Sequence, residues 1–393
     1  MPGKTRNLAL LVAGITLALS VWFAGTAAVP ALLAGGAITR AEAGWLVAFV
    51  QAGFVAGTLV SAVLSLADRL PARALFLGSA LVAGAATAAQ AVIEPAGAGA
   101  YALRFVAGAM MAGVYPLGMK LAAGWARTGP GGDLGLLIGL VVGAVTLGSA
   151  APHALPALLG TLDWRAVYLA AGAIAMLGGL LILPFRPGPL DPRRPPFRPA
   201  QALEAWRNPR LRLANLGYLG HMWELYAVWA WVGLFLASQD ASRGAGLQAG
   251  LLTALVVASG AVGCVALGLL ADRFNRARMA AAAMLLSGGC AIVIGFAPGW
   301  LVWPLAALWG VTVVADSAQF SACTTLCAPP EYVGTMLTVQ ACAGFLLTVP
   351  VIQLMAWAVP ALGWGPSFAI LGLGPLLGAF AMWRLAPLLP AAR

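Results

Sequence analysis

Gly268-Leu269-Leu270-Ala271-Asp272-Arg273-Phe274-Asn275-Arg276-Ala277-Arg278 is a short charged run set between two apolar stretches. A weaker copy, Leu64-Ser65-Leu66-Ala67-Asp68-Arg69-Leu70-Pro71-Ala72-Arg73, lies 272 − 68 = 204 residues earlier. An offset of about half the 393 residues predicts a chain made of two copies of one unit. Outward from both runs the flanks stay apolar for about 20 residues, the length needed to cross a bilayer as a helix.

Composition extends that reading to the whole chain. Hydrophobic residues make up 62% and charged residues 9%, with a mean hydropathy of +0.92, so the protein is expected to be integral to a membrane. Twelve apolar segments begin near Leu8, Trp45, Ala74, Gly97, Leu134, Ala166, Leu213, Leu247, Met279, Leu301, Tyr332 and Gly363. They leave no length for a soluble catalytic or DNA-binding module. Lys4 and Arg6 before the first segment imitate a secretory leader, but the apolar run is too long, and it is read as a retained helix. All Lys and Arg except Arg40, Arg104, Arg165 and Arg243 fall at ends that are cytoplasmic if the N-terminus is inside, which predicts two cytoplasmic termini. The net charge of +10 is then a topology signal and an attraction to anionic lipid, and no nucleic-acid partner is expected. Cys264, Cys290, Cys323, Cys327 and Cys342 all fall inside predicted helices, so no disulfide framework is implied.

The predicted division is a six-helix bundle over residues 1–186, a linker over 187–212 and a second bundle over 213–393. From Pro184 to Arg212 the linker region is rich in proline and arginine, suiting an extended joint against lipid headgroups. Thr39-x-x-Glu42 predicts a capping box, and Gly53-x-x-x-Gly57 and Gly135-x-x-x-Gly139-x-x-x-Gly143 predict close helix approach.

The Gly-x-x-x-Asp-Arg-x-x-Arg run between two hydrophobic helices resembles the loop signature of the major facilitator superfamily, whose members are secondary transporters. That resemblance implies an all-α membrane protein of twelve transmembrane helices in two pseudo-symmetric six-helix bundles, with a central cavity lined by helices one, four, seven and ten. It also implies a cytoplasmic gate carried by Asp68, Arg69 and Arg73 in the first copy and by Gly268, Asp272, Arg273 and Arg276 in the second. An Asp near helix N-termini of the opposite half, flanked by arginines, can hold that side shut. The first copy departs from the pattern at Leu64 and Ala72, where glycines are usual. Leu103-Arg104-Phe105-Val106-Ala107-Gly108 resembles the family's fourth-helix motif, with Ala107 in place of Gln, and Asp163-Trp164-Arg165 resembles a landmark at the start of the sixth helix.

The candidate site follows from the intramembrane polar residues, which are costly unless they face a partner or a wet cavity. Arg104 shares a helix face with Gly108, Met111 and Tyr115 at 100° per residue, and Lys120 lies opposite, near the loops. The seventh helix carries Asn215, Tyr218, His221, Glu224 and Tyr226. His221 and Glu224, three residues apart, are expected to form a proton-coupling pair. The tenth helix presents Thr312, Asp316, Gln319, Phe320, Cys323 and Cys327, and the first adds Ser20, Trp22, Phe23 and Thr26. Two Cys without a completing His or acid do not make a metal set, so neither metal nor cofactor is expected.

The expected function is proton-coupled transport of a small polar or anionic organic solute by alternating access, with Arg104 holding the anion and uptake by symport preferred. Proton-driven export of a small molecule or drug is the alternative, although the fifth helix lacks the proline of the antiporter pattern between Gly135 and Gly148. A nitrate porter would want arginines deep in helices two and eight, whereas helix two carries Gln51. A non-transporting sensor or an intramembrane enzyme stands further off, because no His-Glu-x-x-His or Gly-x-Ser-x-Gly occurs. The expected setting is the bacterial inner membrane, as a monomer.

Overall fold

The computed structural model describes residues 3–127, 132–160, 163–190, 197–239, 246–271 and 273–389, so Asp272 of the second signature loop lies outside the described residues. Among the described residues all regular structure is helical. Eleven rods are long and apolar enough to cross a membrane: α1 (Lys4–Ala34), α2 (Arg40–Leu64), α3 (Ala72–Val92), α4 (Ala98–Ala123), α5 (Leu134–Leu159) and α6 (Trp164–Leu181), then α8 (Ala249–Ala271), α9 (Arg276–Ile294), α10 (Gly299–Cys327), α11 (Pro330–Leu362) and α12 (Trp364–Leu388). Between them α7 (Pro209–Gln239) runs for 31 residues, about 46 Å at 1.5 Å per residue. It is ample for a crossing but more polar, because Asn215, His221 and Glu224 interrupt it.

Local chemistry sets the ends and breaks. The Thr39 box forms: Thr39 Oγ1 accepts from the Glu42 backbone N–H at 3.2 Å, and the Thr39 N–H donates to Glu42 Oε2 at 2.7 Å. Three rods are interrupted, which sequence periodicity did not reveal. The α-helix of α1 stops at Ala18, passes through a 3-10 turn at Leu19–Val21 and resumes at Ala24. The α4 rod breaks between Met111 and Tyr115, just before Pro116, and α10 breaks between Thr312 and Ser317. A proline in the first turn has no N–H to give and excludes the carbonyl four residues earlier, which explains the α4 break.

The duplication is visible in atomic contacts. A Cβ at Gly108 would lie 2.0 Å from the Val50 carbonyl oxygen, fixing α4 against α2, and a Cβ at Gly310 would lie 2.1 Å from that of Val256, fixing α10 against α8. The offsets are 310 − 108 = 202 and 256 − 50 = 206, bracketing the 204 of the loops. The α3 and α6 rods meet at Gly84 and Gly172 as α9 and α12 meet at Gly288 and Gly372. The two sets of six then touch along α5 with α8, α2 with α11, and α1 with α7. The linker is tied to both sets: the Arg186 N–H donates to Asn7 Oδ1 at 2.7 Å, and the Arg198 N–H donates to Thr335 Oγ1 at 2.9 Å.

Candidate transport cavity and its buried charges

Arg104 is not where the sequence places it. Its side chain is fully buried, and it donates from Nε to the Leu46 carbonyl at 3.1 Å, from Nη1 to Val21 at 2.9 Å and from Nη2 to Trp22 at 2.7 Å. The break in α1 is the physical reason. Carbonyls freed there cannot find a helical partner, and a guanidinium with five donors in a fixed fork can satisfy several at once. The expectation that Arg104 holds an anion in the cavity is corrected: it clamps α1 and α2 to α4.

The buried charges of the second set are arranged differently. Asp316 lies in the break of α10, at the N-cap of its second part, and its Oδ1 lies 2.9 Å from His221 Nδ1, with side chains 2% and 1% exposed. This is ion-pair distance off the line of a well-angled hydrogen bond, and His221 Nε2 has no partner among the described residues. Glu224 turns elsewhere, its two oxygens accepting from Ser287 Oγ at 2.8 Å and Trp309 Nε1 at 2.7 Å. The expected His221–Glu224 pair is therefore replaced by His221–Asp316, because the break in α10 swings Asp316 onto the α7 face that carries His221. Gln319 Oε1 accepts from Arg276 Nη1 at 3.2 Å, linking the second signature loop to α10.

A cavity of about 1230 Å³, open solvent included, enters the molecule from the side of the signature loops and the linker. Phe54, Tyr115, Tyr218 and Phe345 form its inner end. The lining comes from α2, α4, α7, α10 and α11, with Ser65, Ala67 and Asp68 of the first signature loop and Phe197 of the linker; among the described residues α1 contributes none. Trp22 instead packs behind the inner end, 5.0 Å from the Phe54 ring, 5.7 Å from Phe345 and 5.9 Å from Tyr226, with Phe54 and Phe345 themselves 4.3 Å apart. Sequence reasoning missed Phe54, Phe345 and the serines and threonines of the walls, since an aromatic or hydroxyl residue on an apolar helix gives no periodic signal of its own. Beyond the ring plug lies a smaller hollow of about 680 Å³ lined by Thr26, His153, Ala230 and Gly250, where Thr26 Oγ1 and His153 Nε2 are 3.2 Å apart.

Of the gate residues, Asp68 pairs with Lys120 within its own set of helices, and Lys120 also donates to the Ala67 carbonyl at 2.9 Å. Arg73 donates to the Leu183 carbonyl at 3.2 Å, while Arg69 and Arg273 are exposed. The turn that Leu64 cannot make is made by Ser65, the one non-glycine residue with positive φ (52°) among those described. Gly268 sits against α5, where a Cβ would be 2.9 Å from the Gly135 carbonyl oxygen. Among the described residues Asp68 thus pairs within its own set, and the cavity opens at the loop side.

A model of the Major Facilitator Superfamily matches residues 10–350. The crystal structure of a D-xylose-proton symporter superposes with a TM-score of 0.72, covering 98% of each chain at 15% sequence identity, a likeness of fold. No curated protein matches the chain by sequence.

Proposed function

The chain belongs to the major facilitator superfamily, and from that premise we propose that it is a proton-coupled secondary active transporter of a small polar solute, working by alternating access and importing its solute by symport. In this reading the chain crosses the bacterial inner membrane twelve times as a monomer. Residues 1–186 and 213–393 form the moving halves, 187–212 the linker, and the loop side with both termini is cytoplasmic. The cavity open at the loops and the ring plug above it support an inward-facing state. A solved neighbour of this fold is a proton symporter, which favours symport over antiport. The solute's anionic character loses its basis once Arg104 is committed to backbone carbonyls.

The observation that carries proton coupling is the His221–Asp316 pair one layer behind the cavity wall. Tyr218, which lines the cavity, faces the His221 ring at 6.1 Å, and Ser317 beside Asp316 also lines it. Beside a neutral imidazole the Asp316 carboxylate is the one charge of the pair, expensive to keep dry, and adding a proton to it leaves an uncharged pair. Protonation from outside would let the halves close around a neutral site, and opening to the cytoplasm would let water draw the proton off. Glu224, held on both oxygens within its own bundle, is assigned as an anchor between α7, α9 and α10. The test uses a solute found by ligand-induced thermal stabilisation, since binding to the folded state raises the melting temperature. In proteoliposomes Asp316→Asn should retain solute exchange and lose accumulation driven by a pH gradient. Gradient-driven accumulation at the wild-type level in that variant would remove Asp316 as the carrier.

A further inference from the structure

Resting on the transport reading, we propose that the cavity takes an uncharged solute that combines several hydroxyl groups with an apolar ring face. The charges in and around the cavity are already spent. Among the described lining residues only Asp68 and Lys120 are charged, and they are paired with each other at the mouth. The groups behind the walls are committed as well: Arg104 to three carbonyls, Glu224 to Ser287 and Trp309, Asp316 to His221. A solute with a net charge would shed hydration on entering and find no unspent counter-charge, a cost of several kcal/mol for an ion in a protein interior. Neutral polar groups face a smaller loss, because hydroxyl partners replace their water.

Those partners are present on both walls. Thr58, Ser61 and Tyr115 line one side, and Tyr218, Ser317 and Ser321 the other. Thr58 Oγ1 is buried without a hydrogen-bond partner, and behind the rings so is Trp22 Nε1. Each side-chain hydroxyl both donates and accepts, which matches a solute whose own hydroxyls do the same and which can shift register between two moving halves. At the inner end the Phe54 and Phe345 rings present apolar surface, against which a ring with one C–H face packs better than a flexible chain.

Purified full-length protein in detergent tests this by thermal stabilisation with matched probes: neutral hexoses and pentoses, the corresponding uronates, and 6-amino-6-deoxyhexoses, with phenyl β-glucoside as the ring-extended member. The expected result is that a neutral member raises the melting temperature at a concentration at least about tenfold lower than its charged partners, equivalent to about 1.4 kcal/mol. Tyr115→Phe and Tyr218→Phe, which keep ring volume, should weaken that response while leaving the ligand-free melting temperature within a degree or so. A uronate or amino sugar that stabilises as well as its neutral parent overturns the proposal, and so does silence across the whole panel. Binding in detergent does not require transport. A neutral sugar that binds but never crosses a proteoliposome would sink the transport reading alone, and flux of a charged solute would sink this inference alone.

Discussion

The two halves bury charge by opposite means. In the first, Arg104 spends its guanidinium on the carbonyls of Val21, Trp22 and Leu46; its partners cannot titrate, and it holds a broken helix together. In the second, two ionisable side chains, His221 and Asp316, face each other, and His221 Nε2 has no partner among the described residues. A buried cation bonded only to backbone is architecture. On the proposed reading, a buried pair of ionisable side chains one layer behind the cavity is where a proton would move.

Breaking the first arrangement should have the largest effect. Arg104→Met leaves the buried Val21 and Trp22 carbonyls at the α1 break without donors, each worth about 1–3 kcal/mol, and should lower stability by about 2 kcal/mol or more. Arg104→Lys should not rescue it, since one ammonium cannot reproduce the fork. A variant that melts like the wild type and loses only ligand binding would return Arg104 to the solute site. Next, Gly108→Ala and Gly310→Ala probe whether the halves are equivalent: each pushes a methyl into a carbonyl of the neighbouring helix, and overpacking costs about 1–3 kcal/mol. Similar losses in thermal melts are expected, and a loss confined to one variant would break the equivalence.

Smaller effects sharpen the contrast within the second half. Glu224→Gln leaves one of two donors, Ser287 or Trp309, facing an amide N–H, and should cost about 1–2 kcal/mol of stability without abolishing pH-driven accumulation. Loss of accumulation with normal exchange would make Glu224 the carrier instead. Smallest is the loop-side cluster in which Asp133 accepts from Lys4 at 2.6 Å and Arg127 at 3.0 Å. Burial pushes the Asp133 carboxyl up, but bonds from the Arg127 backbone and from the Lys4 and Arg127 side chains outweigh it and hold it below its ordinary 3.8. A depressed carboxylate contributes stability that is complete above the unfolded value and lost as pH falls through the folded one. The Lys4→Ala difference in melting temperature should accordingly correspond to less than about 1 kcal/mol at neutral pH and fade as acid protonates Asp133. A difference that persists in acid would mean Lys4 acts through something other than Asp133.

Much of the fold could be read before any coordinates. The 204-residue offset between the loops reappears in the Gly108–Val50 and Gly310–Val256 contacts, and long apolar windows became rods because a backbone in lipid must satisfy itself. The site was less legible. The sequence singles out His221, Asp316 and Tyr218, but spacing along α7 favours Glu224 as the partner of His221, and only the break in α10 brings Asp316 across. Arg104 failed for a related reason: the interruption of α1 that creates its partners carries no proline or glycine signal between Leu19 and Phe23. Pro116, by contrast, announced the break in α4 and could have separated Tyr115 from the Arg104 face.

The central claim is that two bodies rock about the ring plug, opening one side as they close the other. The direct measurement is a pair of spin-label distances in proteoliposomes, one between Ala62 and Leu337 at the loop-side ends of α2 and α11 and one between Ala41 and Trp357 at their far ends. Changing pH across the membrane with a bound solute should shorten the first distance as it lengthens the second. Two distances that stay fixed, or move in the same sense, would contradict the account.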